Sequence, residues 1–410
     1  MSIKLNIDVL NRIKNQHGES FYLLDSNQFR KNYLELQTAF RTIYPAMNIA
    51  YSYKTNYIPA LCKIVDDLGG YAEVVSGMEW DIAKSVGVKA EKVIFNGPFK
   101  HPKAVSEILL SGGVVNIDSE YELPLISKII DDNPGKIINV GLRCNFNIDD
   151  GVTSRFGVDI DSESFGNILC FIKSKANIHF SLIHCHFATR KLESWKQRVD
   201  GIFRLIDERL GIVPPCIDLG GGLFGKMEDT LKVQFDTYIP DYKEYAEVIA
   251  GSFAKRFSGE NKPMLFIEPG SALVGDVMKF VAKVVSLKTV RGKNIATLLG
   301  SVYNINPTLN KKNPPICVYH SGDNEPQWFD DLDFGGYTCI ESDYLYRGYS
   351  GKIAVGDYVV FGNVGSYSVV LKPPFILPNF PIVDYNDETG QIVPVKDAET
   401  FDDLFHTYRF

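Results

Sequence analysis

A chain of 410 residues with a formal charge of −7 is long enough for two or three domains and lacks the basic excess of a nucleic-acid surface. Hydrophobic residues make up 45% and charged residues 23%, the balance of a globular protein rather than a disordered or low-complexity one. No run approaches the roughly 20 apolar residues that span a bilayer, so no membrane partner is expected.

In chain order, the opening stretch MSIKLNIDVLNRIKNQHGES is broken by charge every few residues and has no secretory apolar core. Seven cysteines, an odd number with no CxxC pair, agree with a reduced, cytoplasmic protein. FYLLD (21–25) is a strand candidate that could pair with the elements C-terminal to it. Eight short apolar runs then recur: NIAYS (48–52), YAEVV (71–75), KVIFN (92–96), GVVNI (113–117), IINVGL (137–142), IHFSLIH (178–184), CIDL (216–219) and MLFIE (264–268). Between them lie segments with helical spacing, among them IPALCKIVDDLG, GMEWDIAKSVG, HPKAVSEILLSGG and ESWKQRVDGIFRLIDERLG. Strands apolar along their whole length and alternating with helices indicate a parallel sheet buried on both faces. Eight of them close a (β/α)8 barrel, with a doubly wound open sheet as the alternative.

Near residue 275 the rhythm changes. VMKFVAKVVSLKTVRG, NIATLLGSVY, ICVYHSG, KIAVGDYVVFGNVG and YSVVLKPPFILP read as strands joined by turns, and the acidic stretch DNEPQWFDDLD (323–333) between them as a solvated loop, with attraction of a cationic substrate end as the alternative. The expected division is a barrel over 26–272 and a β-domain formed by 1–25 and 273–410.

In such a barrel the chemistry sits at the C-terminal ends of the strands, and loops after strands seven and eight favour phosphate. Lys54 follows the first run, His184 and His186 the sixth, Gly220, Gly221 and Gly222 the seventh, and Glu268 ends the eighth. Three glycines remove every Cβ, so the backbone can approach an anion closely; the alternative is a turn that only needs positive φ. A lysine after an apolar strand is either snorkelling or a Schiff-base lysine with a pKa lowered by burial. Lysine for an aldehyde, glycines for a phosphate and a carboxylate for a ring nitrogen together make pyridoxal phosphate the economical ligand. Other motifs fail on their context. Gly220 to Lys226 fits a P-loop, but Met227 stands where Ser or Thr must hold magnesium. His184-x-His186 has the spacing of a zinc pair without evident further ligands, so no metal is expected. Asp333-Phe334-Gly335 spells a kinase motif with no Gly-rich loop beside it.

These residues resemble, in order and over nearly the whole chain, the barrel-type pyridoxal-phosphate enzymes of the diaminopimelate and ornithine decarboxylase superfamily. AYSYKTN is similar to that family's Y-A-V-K-[AC]-N, AEVVSGMEWDIA to D-V-V-S-G-G-E-L, and GLRCNF with SRFGVD to L-R-x-N-P with S-K-F-G. LIHCHFAT is similar to H-x-H-x-G-S, IDLGGGLFG to the glycine loop, FIEPG to E-P-G-R, YTCIESDYL to C-x-x-x-D and GNVGSYSVV to the G-A-Y segment. The resemblance implies an alanine-racemase-like TIM barrel followed by an all-β barrel or sandwich. It implies a homodimer with shared active sites. Lys54 would carry the Schiff base, His186 stack on the cofactor ring, Thr189 and Tyr367 lie by the phosphate, and Glu268 hold the pyridine nitrogen. Cys339 would protonate the decarboxylated carbon in the other subunit's site, and Arg143, Tyr303 and Asp343 would touch an amino-acid-type substrate.

The sequence departs from that pattern where substrate is chosen. Ser271 replaces the arginine of E-P-G-R, Ile340 follows the cysteine in place of Glu or Asp, Leu299-Gly300-Ser301 replaces D-x-G, and KPPFILPNF replaces the tail with a ring-facing aromatic. The resemblance therefore implies an α-decarboxylase of specialised biosynthesis acting on an amino acid, or an amino-acid unit within a conjugate, other than meso-diaminopimelate or ornithine. The alternatives are an amino-acid racemase or epimerase and a catalytically silent regulatory homologue.

Overall fold

The computed structural model describes residues 4–409, so the first three residues of the opening stretch and Phe410 lie outside it. The described chain forms two compact units. One comprises residues 31–224 and 237–272; the other runs up to Arg30, over Gly225–Asp236 and from Leu273 onward.

The first unit is a closed, all-parallel barrel. Its eight strands are Met47–Ser52, Tyr71–Val74, Val93–Phe95, Val114–Ile117, Ile138–Asn145, Ile178–His184, Cys216–Asp218 and Met264–Ile267. Each pairs with its neighbour in sequence order, and the eighth returns to the first through Leu265↔Met47, Phe266↔Asn48 and Ile267↔Ile49. All eight apolar runs read from the sequence are these strands. Residues on both faces are buried, as Met47–Ser52 shows along its whole length. The side chains of Ala50, Ile94, Leu182 and Phe266 meet in one core cluster. The intervening helices start where local chemistry starts them. Ser76 caps Gly77–Ser85 by accepting the Glu79 N–H at 3.2 Å, and Pro59–Asp67 and Pro102–Leu110 open on proline, whose missing N–H costs nothing there.

The second unit is a mixed nine-stranded sheet. Its central strand, Met278–Val290, pairs antiparallel with Lys293–Leu298, with Tyr358–Phe361 and with Phe21–Leu24. FYLLD is therefore a strand of this sheet, paired on its other side with Ile382–Asn386 in parallel. Helix Ile7–His17 buries Val9, Leu10 and Ile13 against Phe21, Leu23, Val281 and Val383. Two readings need correcting. The acidic stretch is largely a strand, Gln327–Gly335, because its charge is answered across the sheet: Lys293 Nζ lies 3.1 Å from Asp331 and 3.4 Å from Asp333, and Arg347 lies 3.1 Å from Asp333. YSVVLKPPFILP is not a strand. Tyr367 sits at φ 63°, its carbonyl accepts the Leu371 N–H at 3.0 Å, and two prolines come next.

Candidate active site

The C-terminal ends of the barrel strands carry a buried polar network. Lys54 lies in a single 3-10 turn, Tyr53–Thr55, directly after the first strand, and its ammonium is bonded to Glu73 on the second. Glu73 is fully buried and also accepts the Ser52 hydroxyl at 2.6 Å. Asn96, after the third strand, donates its amide to Glu73 at 3.1 Å and to Glu268 at 2.6 Å. Asn116 supports Asn96 by donating to its Oδ1 at 2.7 Å. Across the barrel, His184 Nε2 stands 3.3 Å from the other oxygen of Glu268. A carboxylate stripped of water is stable only with such partners, so the network's bonds maintain its charges.

Two carboxyls here titrate as a pair. Burial pushes the Asp218 pKa far up and the neighbouring Glu268 charge pushes it further, so Asp218 keeps its proton. Burial opposes ionisation of Glu268 too, but the His184 contact and the Lys54 charge outweigh it and hold Glu268 below the usual carboxylate range. His186 is kept neutral, first by burial and then by Arg198 and Lys54. Its Nδ1 accepts the Gly221 N–H at 2.9 Å, which leaves the ring proton on Nε2. Behind Glu73, burial and the Glu73 charge raise Glu79 to about 7.

The glycine segment needs its glycines. Gly220 and Gly222 have φ of 69° and 97°, and a Cβ on Gly221 would stand 2.4 Å from the Glu268 carbonyl oxygen. The Gly220 N–H is spent on Asp218 at 2.8 Å and that of Gly221 on His186. Among the described residues only the Gly222 N–H of these three has no partner within the protein. A half-buried lysine at one side, an ionised carboxylate at the other, a neutral imidazole between and a side-chain-free loop fit pyridoxal phosphate in charge and in shape.

Other expected residues fall in two groups. Arg143 is buried beside the network, 3.6 Å from Asp118 and 4.8 Å over the Phe156 ring. The Thr189 hydroxyl donates to the Asp150 carboxylate, so its proton is taken. Cys339, Tyr303, Asp343 and Tyr367 belong to the second unit. Cys339 is exposed and free, and Tyr303 and Tyr367 are half-buried. Asp343 is buried and fully engaged: it accepts the Ser301 hydroxyl at 3.0 Å, the Val302 N–H at 2.7 Å and the Thr338 hydroxyl at 2.6 Å. Its carboxylate ties together the turns that carry Ser301 and Thr338.

Sequence reasoning missed Glu73, Asn96, Asn116, Asp218 and Arg198. The first four stand at or just beyond strand C-termini, so applying the strand-end rule to every strand, rather than to the chemically conspicuous ones, finds them. From sequence, His184 is weighed only with His186 and the zinc reading is set aside. His184 instead groups with Asp218 and Glu268, with one potential ligand atom from each within 4.8 Å of the others.

Comparison with known proteins places this geometry. The profile described as "Pyridoxal-dependent decarboxylase, pyridoxal binding domain" matches residues 28–275. A diaminopimelate decarboxylase of Methanocaldococcus jannaschii is 25% identical over 94% of this chain and 90% of its own length. An L-glutamyl-[BtrI acyl-carrier protein] decarboxylase of Niallia circulans is 25% identical over 94% of this chain and 93% of its own. A crystal structure of diaminopimelate decarboxylase from M. jannaschi superposes with a TM-score of 0.85 at 24% identity, covering 97% of this chain and 94% of that one, and so shares its architecture.

Proposed function

The chain belongs to the pyridoxal-dependent decarboxylase family and is a carboxy-lyase; on that premise we propose that its substrate is an amino acid, or an amino-acid unit carried in a conjugate, other than meso-diaminopimelate or ornithine. The carrying observation is the Cys339–Asp343 turn. Ile340 is uncharged, and Asp343 is consumed by Ser301, Val302 and Thr338. The acid that comes after the cysteine in the resembled family is displaced by one residue to Glu341, which changes the direction of its side chain. A distal ammonium thus loses its usual acceptor. The carrier-protein-linked substrate in the name of the Niallia circulans relative supports the conjugate reading.

When bound, pyridoxal phosphate supplies an electron-accepting pyridinium that takes up the pair released as carboxylate leaves the α-carbon. Lys54 would be the amine that holds the cofactor's aldehyde. Glu73, bonded to the Lys54 Nζ from the second strand, would orient that amine. Ionised Glu268, held by Asn96 and His184, keeps a proton on the ring nitrogen. Neutral His186 presents an uncharged face to the ring. Cys339 would return a proton to the α-carbon, serving the other subunit of a homodimer, and Arg143, Tyr303 and Tyr367 keep the substrate and phosphate roles that the resemblance implies. Among the described residues no helix is long and apolar enough to cross a membrane. All seven cysteines are free, which supports a reducing, cytoplasmic setting.

The test is CO2 release from a panel containing meso-diaminopimelate, ornithine, lysine, glutamate and carrier-protein-linked glutamate. Turnover is expected on a member without a free distal ammonium. A kcat/KM above about 10⁴ M⁻¹s⁻¹, the lower end for natural substrates, on meso-diaminopimelate or ornithine overturns the reading.

A further inference from the structure

Arg198 stands in the middle of helix Leu192–Leu205 and is completely buried. It forms no ion pair among the described residues. Its fork instead reaches three backbone carbonyls, of Gly221 at 2.7 Å, of Phe187 at 2.7 Å and of Thr189. Its plane lies 4.0 Å over Trp195, whose own indole N–H donates to the Gly222 carbonyl at 3.2 Å. A buried guanidinium normally comes with a carboxylate. Here the hydrogen-bond acceptors are peptide carbonyls, all in the two segments directly after barrel strands six and seven.

We infer that Arg198 builds the phosphate site from behind: by drawing three carbonyls toward itself it turns the amides of Ala188, Arg190 and Gly222 outward as an anion-binding set. In a trans peptide the C=O of one residue and the N–H of the next point in opposite directions, and no described peptide is cis. Fixing the carbonyls of Phe187, Thr189 and Gly221 therefore aims the next three N–H groups away from the guanidinium. Trp195 does the same for the Leu223 N–H through the Gly222 carbonyl. None of these four amides has a hydrogen-bond partner within the protein among the described residues. A cation at the carbonyl end also polarises each peptide, so its N–H becomes a better donor to an anion.

The charge bears on the site as well. Ser271 stands where the resembled family carries an arginine, and Arg198 supplies a positive charge by a different route, beneath the loop instead of beside it. The charged and titratable groups around it are Asp150 on Thr189, His186, Cys185 and Tyr245. Of these Asp150 is the one carboxylate, and its Thr189 bond directs it at the same loop. Arg198 touches neither substrate nor reacting atoms, so it is a positioning residue. The inference rests on family membership alone and stands whichever substrate the enzyme takes.

The experiment compares Arg198→Lys and Arg198→Met with the wild type as full-length apoproteins. Each is titrated by absorbance and fluorescence with pyridoxal phosphate and with pyridoxal, which lacks the phosphate. Both variants should lose at least about tenfold in affinity for pyridoxal phosphate, the scale of a charge-assisted contact, and less than about threefold for pyridoxal. Lysine keeps the charge but cannot hold three carbonyls with one fork, so it tests the geometry if the methionine variant does not fold. In the lysine variant, the rise in melting temperature produced by inorganic phosphate should shrink as well. Equal losses for the two ligands mean that Arg198 only supports the fold, and unchanged affinity for pyridoxal phosphate removes its role; either result overturns the inference.

Discussion

Replacing Asn96 by aspartate changes one atom's chemistry at the centre of the network. Asn96 is 2% exposed, and its amide nitrogen serves Glu73 at 3.1 Å and Glu268 at 2.6 Å while its oxygen accepts from Asn116. Aspartate keeps the acceptor and the shape but loses both donors. Ionised, it would stand within hydrogen-bond reach of two other carboxylates, so burial and like charge together raise its pKa by about two to three units. Protonated, it can restore one of the two lost bonds. At low pH the variant is thus short of one donor to a charged group, a loss of about 1.5–3 kcal/mol. Its folded pKa lies above its unfolded one, so the stability of the protonated form is lost as pH rises through the folded value. At about 1.4 kcal/mol per unit, the gap to wild type should widen by about 2 kcal/mol between pH 5 and pH 8. Urea unfolding at both pH values measures this, with Trp80 and Trp195 reporting the barrel unit. A gap that stays the same within about 0.5 kcal/mol at the two pH values would refute the shared-amide account.

Three further outcomes are expected. Lys54→Ala and Cys339→Ala should each be inactive alone, yet a mixture allowed to exchange subunits should regain about a quarter of wild-type sites, because half the dimers become hybrids with one intact site; CO2 release that stays at background argues against a shared site. Asp343→Ala strands several buried donors and should cost about 2–4 kcal/mol of unfolding free energy with KM little changed, whereas a large KM increase at unchanged stability restores Asp343 to the substrate. Glu79, pushed up to about 7 by burial and then by Glu73, has a folded pKa above the ordinary glutamate value, so its stabilisation is lost as pH climbs through about 7. Glu79→Gln keeps the acceptor for the Val75 N–H and should flatten the stability–pH curve between pH 5 and 8 by about 3 kcal/mol; an unchanged slope shows that another group titrates there.

Legibility differed between the two units for a physical reason. A barrel strand buried on both faces must be apolar at every position, and its helix must repay burial at 3.6-residue spacing, so both periods are written locally. The β unit pairs residues far apart in sequence. Phe21–Leu24 finds Ile382–Asn386, and Gln327–Gly335 becomes a strand by pairing with Lys293–Leu298 and Tyr344–Ile353, where Lys293 and Arg347 answer its acids. No local pattern of an acidic, turn-rich segment announces a partner that arrives from a distant strand.

The same divide runs through the site. The order and identity of Lys54, His186, the three glycines and Glu268 were legible in the chain alone, since each stands at or just after the end of an apolar run with the pattern of a parallel strand. What those groups are ionically was decided in three dimensions. Asp218 and Glu268 have similar intrinsic affinities for a proton, and closeness to His184 and Lys54 makes one ionised and the other neutral. The bonds of Asp343 to Ser301 and Thr338 are likewise invisible in the chain and appear only once those turns fold against it. Arg198, unremarkable within its helix, acquires its meaning only when helix packing buries it under the loop after strand seven. Local sequence sets which groups are available; the desolvation and neighbours that set their charge exist only after the fold has closed around them.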